Sequence, residues 1–156
     1  MKNKLSNKLS LVVLSALISG VYASSTLAGE CDVSVEGTAS MAFSVKEIAV
    51  PKTCKEVSIT LKNSGTLAKK IMGHNLVITK TTDMKGVVDD GMAAGLDKNY
   101  IKPNDKRVIA YTKVLDAGES ATIKFKTNNL KSTDDYSFFC SFPGHSTIMK
   151  GVFKLT

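Results

Sequence analysis

Residues 55–62 read Lys-Glu-Val-Ser-Ile-Thr-Leu-Lys, and apolar and polar side chains alternate strictly within this stretch. A period of two places Val57, Ile59 and Leu61 on one face of an extended chain. A helix would instead need apolar residues every three or four positions. The stretch therefore predicts a β-strand with one buried face and one solvated face.

The same alternation continues through most of the chain from Asp32 onward. Clusters of Gly, Pro, Asn, Asp and Ser separate the apolar stretches, as is typical of turns. The alternating residues are Val33, Val35, Leu76, Ile78, Ile109, Tyr111, Ile123, Phe125, Tyr136, Phe138, Cys140, Phe153 and Leu155. About eight short, closely spaced strands predict an all-β fold, an antiparallel Greek-key sandwich or barrel.

Residues 82–95 interrupt the strand pattern and favour an excursion that contains a short helix. Asp83 is a suitable N-cap residue for it. Gly86 and Gly91 lower the helix propensity of the segment, so we do not expect a long helix.

Residues 1–28 have the composition of a secretory signal peptide. Three lysines precede an uncharged apolar run over residues 9–23, and small residues follow up to Ala28. We expect cleavage after Ala28, with Ala23 as a second choice, which leaves one domain over residues 29–156. The alternative is a retained membrane anchor, but the apolar run is shorter than the roughly 20 residues of a spanning helix.

Composition and charge exclude several function classes. Removal of the three leader lysines lowers the formal net charge from +7 to +4. The charge is mild, and a chain with no Trp and only 6% aromatic residues offers no stacking platform for nucleic acid. No second apolar stretch is long enough to insert into a membrane, so we expect no membrane insertion after cleavage of the leader. The leader predicts export to the periplasm, and we expect the mature protein to be a monomer.

The chain has three cysteines, an odd number for an exported protein. Cys31 and Cys54 flank the first strands, and outside the cytoplasm they can persist as a disulfide. Such a cross-link stabilises a fold by roughly 3 kcal/mol on the chain-entropy model. Cys140 is left over, and its neighbours carry the chemistry.

Cys140 is followed by His145 and Met149, five and four residues apart, around a bend formed by Pro143 and Gly144. The chain's other histidine, His74, follows Gly73, which allows a close backbone approach. One thiolate, two imidazoles and a thioether form the soft ligand set of a blue copper site. The pattern predicts one copper ion that cycles between Cu(I) and Cu(II), with zinc as a possible adventitious occupant.

Two other functions fit parts of this pattern. A hydrolase would use Cys140 as the nucleophile and His145 as the base, but it also needs an orienting group and an open cleft. A copper or zinc storage or delivery protein would use the same ligands, but it needs an exposed, readily exchanged site. Taken one at a time, each histidine is an ordinary hydrogen-bonding residue and Met149 is core filler.

Longer motifs make the chain similar to the azurins, the bacterial blue copper proteins of the cupredoxin family. The resemblance covers residues 30–154, and its motifs are Met-Gly-His-Asn at 72–75, Asp-Met-Lys-Gly-Val-Val at 83–88, Asp-Gly-Met-Ala-Ala-Gly-Leu-Asp at 90–97, Arg-Val-Ile-Ala at 107–110, Phe-Phe-Cys-Ser-Phe-Pro-Gly-His at 138–145 and Met-Lys-Gly at 149–151. The resemblance implies His74, Cys140 and His145 as equatorial ligands. It implies Met149 and the Gly73 carbonyl oxygen as weak axial ligands.

The resemblance also implies the Cys31–Cys54 disulfide and a role for Asn75 in hydrogen bonding near the thiolate. The function it implies is one-electron transfer between a c-type cytochrome and a terminal reductase or a dehydrogenase. Partners would dock on an apolar, uncharged patch around His145, formed by Leu67, Ile71, Met72, Met92, Phe142, Pro143 and Thr147.

The sequence departs from the family pattern at three positions. Leu76 stands where the family often has Trp, and Asn63 and Tyr111 stand where it often has surface histidines. Proton-linked tuning through positions 63 and 111 should therefore be absent. None of the three changes removes an implied ligand.

Overall fold

The computed structural model describes residues 30–156, so the predicted leader over residues 1–28 lies outside the described part of the chain. Eight strands form two sheets that pack face to face. The strands are β1 (Asp32–Gly37), β2 (Glu47–Val50), β3 (Glu56–Asn63), β4 (Val77–Lys80), β5 (Val108–Tyr111), β6 (Ser120–Lys126), β7 (Tyr136–Phe139) and β8 (Lys150–Leu155). The helices are α1 (Lys69–Met72) and α2 (Met84–Ala94), with 3-10 turns at Thr81–Asp83, Leu96–Lys98 and His145–Thr147.

The smaller sheet has the strand order β1-β3-β6. The alternating residues of β3 are fully buried, and Val57 and Ile59 lie opposite Phe125 and Ile123 of β6. Strand β1 pairs with β3 in parallel, and the disulfide between Cys31 and Cys54 joins the segments that precede the two strands. The predicted disulfide is therefore present in the structure.

The larger sheet has the order β2-β8-β7-β4-β5. Strand β2 pairs in parallel with β8, whereas β4, β5, β7 and β8 pair antiparallel. The predicted eight-stranded sandwich is confirmed. The barrel alternative is wrong for the described residues, since β5 and β6 pair on one side only, and the sheets are mixed rather than purely antiparallel.

The inward residues of both sheets form one apolar core between them. They are Val35, Ile48, Val50, Val57, Ile59, Leu61, Ile78, Phe138 and Phe153. Full burial of one such side chain stabilises the fold by about 1.5–3 kcal/mol. This stiff core fixes the ends of the strands, where the loops with the candidate ligands begin.

Helix α2 covers part of the outer face of the larger sheet. Val87 of the helix packs with Val77, Ile101 and Phe139, all of them buried. This contact explains why β4 and β7 bury both faces instead of alternating.

The predicted helix is present, but its start and its glycines differ from expectation. Asp83 makes no side-chain capping hydrogen bond, because the preceding 3-10 turn already leads the backbone into the helix. The helix runs through both glycines, and at Gly91 a Cβ would overlap the carbonyl oxygen of Tyr100. Within residues 30–156 no helix is long and apolar enough to cross a membrane.

Candidate metal centre

The structure brings His74, Cys140 and His145 together at one end of the sandwich. Their donor atoms all lie within 4.8 Å of one another, and all three side chains are buried. His74 lies in the loop between α1 and β4, Cys140 directly follows β7, and His145 begins the last 3-10 turn. Two loops that are distant in sequence thus deliver three donors to one point.

The two ring nitrogens of His74 have different surroundings. Nε2 lies 3.0 Å from the carbonyl oxygen of Thr38. Because a carbonyl oxygen only accepts, Nε2 carries the proton and Nδ1 carries the lone pair. Nδ1 is buried and has no hydrogen-bond partner among the described residues. A buried, unpartnered acceptor costs free energy unless it binds something, so this nitrogen is prepared for a cation.

Backbone hydrogen bonds shape the loop from Cys140 to Met149. The Cys140 N–H donates to the Met149 carbonyl oxygen at 3.0 Å, and the Met149 N–H donates to the His145 carbonyl oxygen at 2.8 Å. Inside this closed loop, Cys140 Sγ lies 3.6 Å from His145 Nδ1. The thiol and the second imidazole therefore face each other across the bend.

Met149 is fully buried, and its side chain lies close to that of His74. An ideal Cβ built on Gly37 would lie 3.0 Å from both His74 Cδ2 and Met149 Cε, so these two side chains converge beside Gly37. At Gly73 a Cβ would overlap the side chain of Val114 and the carbonyl oxygen of Lys69. The expected close approach of the backbone at Gly73 is therefore a feature of the structure.

Asn75 connects the two loops that carry His74 and Cys140. Its Oδ1 accepts from the Ser141 N–H at 2.8 Å, and its Nδ2 donates to Ser141 Oγ at 2.8 Å and to the Asn99 carbonyl oxygen at 3.0 Å. The sequence pattern did not indicate a role for Ser141 or Asn99. Ser141 adjoins the odd cysteine, which was a usable signal, whereas nothing near Asn99 in the sequence indicated the contact.

Burial keeps the donor groups neutral in the absence of a metal. It raises the pKa of the Cys140 thiol to about 11. Burial, reinforced by the neighbouring His74, lowers the pKa of His145 to about 4, and burial lowers the pKa of His74 as well. At neutral pH both imidazoles therefore keep a free lone pair, and a bound cation would replace the thiol proton.

These properties do not fit a cysteine hydrolase. A nucleophilic cysteine needs a lowered pKa, whereas that of Cys140 is raised and its side chain is fully buried. Three surface cavities of about 280–480 Å³ are lined by other residues and include none of the three donors. The arrangement is a closed cage of soft and borderline donors, which suits copper.

The residues predicted to form the docking patch differ in exposure. Leu67, Ile71 and Met92 are 45%, 64% and 52% exposed. Pro143 and Thr147 are exposed and Met72 is half-buried, whereas Phe142 is only 7% exposed and packs its ring 4.6 Å from that of His145. Lys70, next to Ile71 in α1, is exposed, so the surface there is not free of charge.

The three departures from the family pattern have different surroundings. Leu76 is fully buried in the core, and Tyr111 is 45% exposed. Asn63 is fully buried rather than at the surface, because its Nδ2 donates to the carbonyl oxygen of Leu115 at 3.2 Å and its Oδ1 accepts from the Gly65 N–H. In this chain the side chain at position 63 therefore links two backbone segments inside the protein.

Comparisons with known proteins agree with this geometry. The family described as copper binding proteins, plastocyanin/azurin family, matches residues 29–156. Azurin-1 of Alcaligenes xylosoxydans xylosoxydans is 54% identical over 126 residues, which is 81% of this chain and 98% of the relative. Azurin of Pseudomonas aeruginosa is 47% identical over 148 residues, which is 95% of this chain and 97% of the relative.

A solved structure of an azurin, Az-iso2 from the obligate methylotroph Methylomonas sp. strain J, has a similar fold. The TM-score is 0.78 at 39% sequence identity, over 81% of this chain and 98% of that one. Azurins are blue copper electron carriers. The chain belongs to the plastocyanin/azurin family of copper-binding proteins, and within it to the azurins.

Proposed function

We propose that this protein is a periplasmic one-electron carrier that shuttles electrons between c-type cytochromes and terminal reductases or dehydrogenases. The leader over residues 1–28 would direct export, and the mature domain from residue 29 would act as a monomer. The observation that carries the proposal is the buried convergence of His74, Cys140 and His145 within 4.8 Å, with His74 Nδ1 left unpartnered.

The residues that would hold copper are His74, Cys140 and His145, with weaker contributions from Met149 and the Gly73 carbonyl oxygen. When bound there, copper supplies a Cu(I)/Cu(II) couple, for which a thiolate, two imidazoles and a thioether are the usual blue-copper set. Cys140 gives up its thiol proton on binding. The Thr38 carbonyl oxygen holds the His74 ring in the tautomer that presents Nδ1.

Rigidity and dryness would suit these residues to electron transfer. His74, Cys140 and Met149 have no exposed surface, and only 3% of His145 is exposed. A substrate therefore has no open position at the donors, which disfavours catalysis. Strand ends and hydrogen bonds fix the backbone around the donors, so little rearrangement would accompany a change of charge.

His145 is the metal ligand through which electrons would enter and leave the copper site. It is the one of these four side chains with any exposed surface, and the exposed Pro143 and Thr147 are close to it in sequence. The patch named above would make the short-lived contact with a partner. A small, mostly apolar contact favours fast release, as a carrier requires.

The first test is a visible spectrum of the copper-loaded, oxidised protein, followed by protein-film voltammetry. We expect an intense thiolate-to-copper charge-transfer band and fast, reversible one-electron cycling. Cys140→Ser is the matched control, because it keeps the size of the side chain and removes the sulfur. A colourless wild-type protein, or a band that survives in Cys140→Ser, would contradict the proposal.

A storage or delivery role for copper or zinc is the alternative. Such a role needs rapid metal exchange with a chelator and no reversible electrochemistry. The closed backbone loop and the burial of the donors favour slow exchange. Zinc in the site would give a colourless protein, which a metal analysis of the same sample identifies.

A further inference from the structure

The segment Asn99–Tyr100 makes an unusual backbone turn beside the metal centre. Both residues adopt positive φ, 56° at Asn99 and 52° at Tyr100. Asn tolerates this left-handed conformation, whereas a bulky residue such as Tyr is strained in it. Two successive residues of this kind persist only where their surroundings stabilise them.

Asn99 contacts both loops that carry donors. Its carbonyl oxygen accepts from Asn75 Nδ2 at 3.0 Å and from Ser141 Oγ at 3.4 Å. Asn75 directly follows His74, and Ser141 directly follows Cys140. One backbone oxygen of the turn is therefore bonded to the neighbours of two donors.

The side chain of Asn99 reaches a third segment. Its Oδ1 accepts from the Val114 N–H at 2.8 Å. Val114 in turn packs against Gly73, where its Cγ1 occupies the space of a Cβ. This hydrogen bond fixes the position of Val114, against which the backbone at Gly73 packs, directly before His74.

Tyr100 extends the same turn towards His145. Its ring meets that of Phe142 edge-on, with the centroids 5.4 Å apart, and the Phe142 ring lies 4.6 Å from that of His145. On its other side, the carbonyl oxygen of Tyr100 packs against Gly91 of helix α2. The turn thus lies between the helix and the surroundings of all three donors.

We infer that Asn99 and Tyr100 are positioning residues that hold the loops of His74, Cys140 and His145 in the geometry needed for metal binding, and that helix α2 supports them. Neither residue supplies a ligand. The inference rests on the proposed copper site, because it assigns to these residues the preorganisation of its donors. The same inference assigns to helix α2 the role of supporting the metal centre from outside the sheet.

A role as a simple helix cap does not account for these contacts. Asn99 follows the 3-10 turn Leu96–Lys98 and donates its N–H to the Leu96 carbonyl oxygen. Glycine would perform this capping equally well, since it adopts positive φ without cost. Asn99→Gly therefore keeps the cap and the backbone oxygen and removes only the Oδ1 bond to Val114.

The test uses two matched pairs of variants in the full chain, purified after export. Asn99→Gly removes the side-chain acceptor, and Asn99→Asp retains it. Tyr100→Leu removes the ring that contacts Phe142, and Tyr100→Phe retains it. Thr127→Val is the control, because it removes a buried side-chain hydrogen bond to the Cys54 carbonyl oxygen at the disulfide end.

We expect Asn99→Gly and Tyr100→Leu to bind copper about 10- to 100-fold more weakly in competition with a chelator, as is usual when residues behind metal ligands are lost. The charge-transfer band should shift in both. Asn99→Asp, Tyr100→Phe and Thr127→Val should keep the wild-type affinity and spectrum.

The metal-free protein gives an independent readout. The Ser141 N–H should exchange with deuterium faster in Asn99→Gly than in wild type, and at the wild-type rate in Thr127→Val. Wild-type affinity, spectrum and exchange in Asn99→Gly and Tyr100→Leu would overturn the inference, as would an equal effect in Thr127→Val. A wild-type protein that binds no copper would instead contradict the proposed function, while the exchange data would still decide the role of the turn.

Discussion

Asn75 and Ser141 are joined by two hydrogen bonds of 2.8 Å, one to the Ser141 N–H and one to its hydroxyl. Both residues are buried, and each directly follows a proposed metal ligand. The pair therefore fixes the distance between the His74 loop and the Cys140 loop before any metal arrives. Hydrogen bonds of this kind reduce the ordering that metal binding must impose.

Asn75→Leu tests this relationship. The variant has a similar volume but leaves the Ser141 N–H without its partner, which should lower the free energy of unfolding of the metal-free protein by about 1–3 kcal/mol. Copper affinity should fall about 10- to 100-fold. Urea unfolding and chelator competition measure the two effects.

Asn75→Asp supplies the comparison. It keeps the acceptor for the Ser141 N–H but places a second acceptor oxygen against the Asn99 carbonyl oxygen. We therefore expect smaller decreases in unfolding free energy and in copper affinity than in Asn75→Leu. If Asn75→Leu matched wild type in both measurements, the two loops would be held by other contacts.

Met72→Lys tests the docking patch. A charge on this half-buried residue should slow electron transfer to a c-type cytochrome, because a lysine there must be desolvated when the partner binds. The spectrum should not change. Stopped-flow measurement of the second-order rate constant checks the prediction.

Ala49→Lys is the matched control for Met72→Lys. Ala49 is exposed on β2 and pairs with Lys154 near the end of β8. The metal centre lies at the other end of β8, which begins directly after Met149. The same added charge should leave the rate close to that of wild type. Equal rates in all three proteins would place the docking face elsewhere.

The stability of the metal-free protein should depend on pH through the buried imidazoles. The pKa of His145 is lowered to about 4 by burial, reinforced by His74, against about 6.5 in an unfolded chain. The unfolded state therefore binds more protons below pH 6.5, and stability falls as the pH decreases. The loss should begin near pH 6.5 and be complete near pH 4.

Urea unfolding of the metal-free protein at about pH 7 and about pH 4.5 measures this loss. In His145→Gln the decrease in unfolding free energy between the two pH values should be smaller, since only the contributions of His74 and of the carboxylates remain. A free energy of unfolding that is equal at the two pH values would show that folding does not lower the pKa values of the imidazoles.

The disulfide should contribute stability without affecting the metal centre. Replacement of Cys31 and Cys54 by Ala opens a loop of sequence separation 23, which should cost roughly 3 kcal/mol. The charge-transfer band of the copper-loaded variant should keep its position, because Cys140 takes no part in the cross-link. Urea unfolding and a visible spectrum check the two parts, and a displaced band would show that the two ends of the sandwich are coupled.

The sequence predicted the parts of the fold that depend on local pattern. Alternation located most strands, and the clustered thiol, imidazole and thioether indicated the kind of site. It did not indicate β2, because the exposed residue between the buried Ile48 and Val50 is the apolar Ala49, which conceals the alternation. It also did not reveal the parallel pairings, since register depends on contacts between segments far apart in the chain.

The surroundings of the site were less predictable than its donors. Family members often have a surface histidine at position 63, but Asn63 is buried here, where its amide satisfies backbone groups that would otherwise have no partner. Asn99 gave no local signal because its role depends on Asn75, Ser141 and Val114, which only the folded chain brings together. Donor chemistry can be recognised from residue types, whereas the hydrogen bonds behind it require the tertiary structure.

Three neighbouring strands meet at the metal centre: β4 begins after His74, β7 ends before Cys140, and β8 begins after Met149. A slip of one residue between two of these strands would move a donor by about 3.3 Å and turn it to the opposite side of the sheet. Tight metal capture is thus available only to chains whose strands are correctly aligned. Copper uptake would therefore report whether a chain has folded with the correct register of these strands.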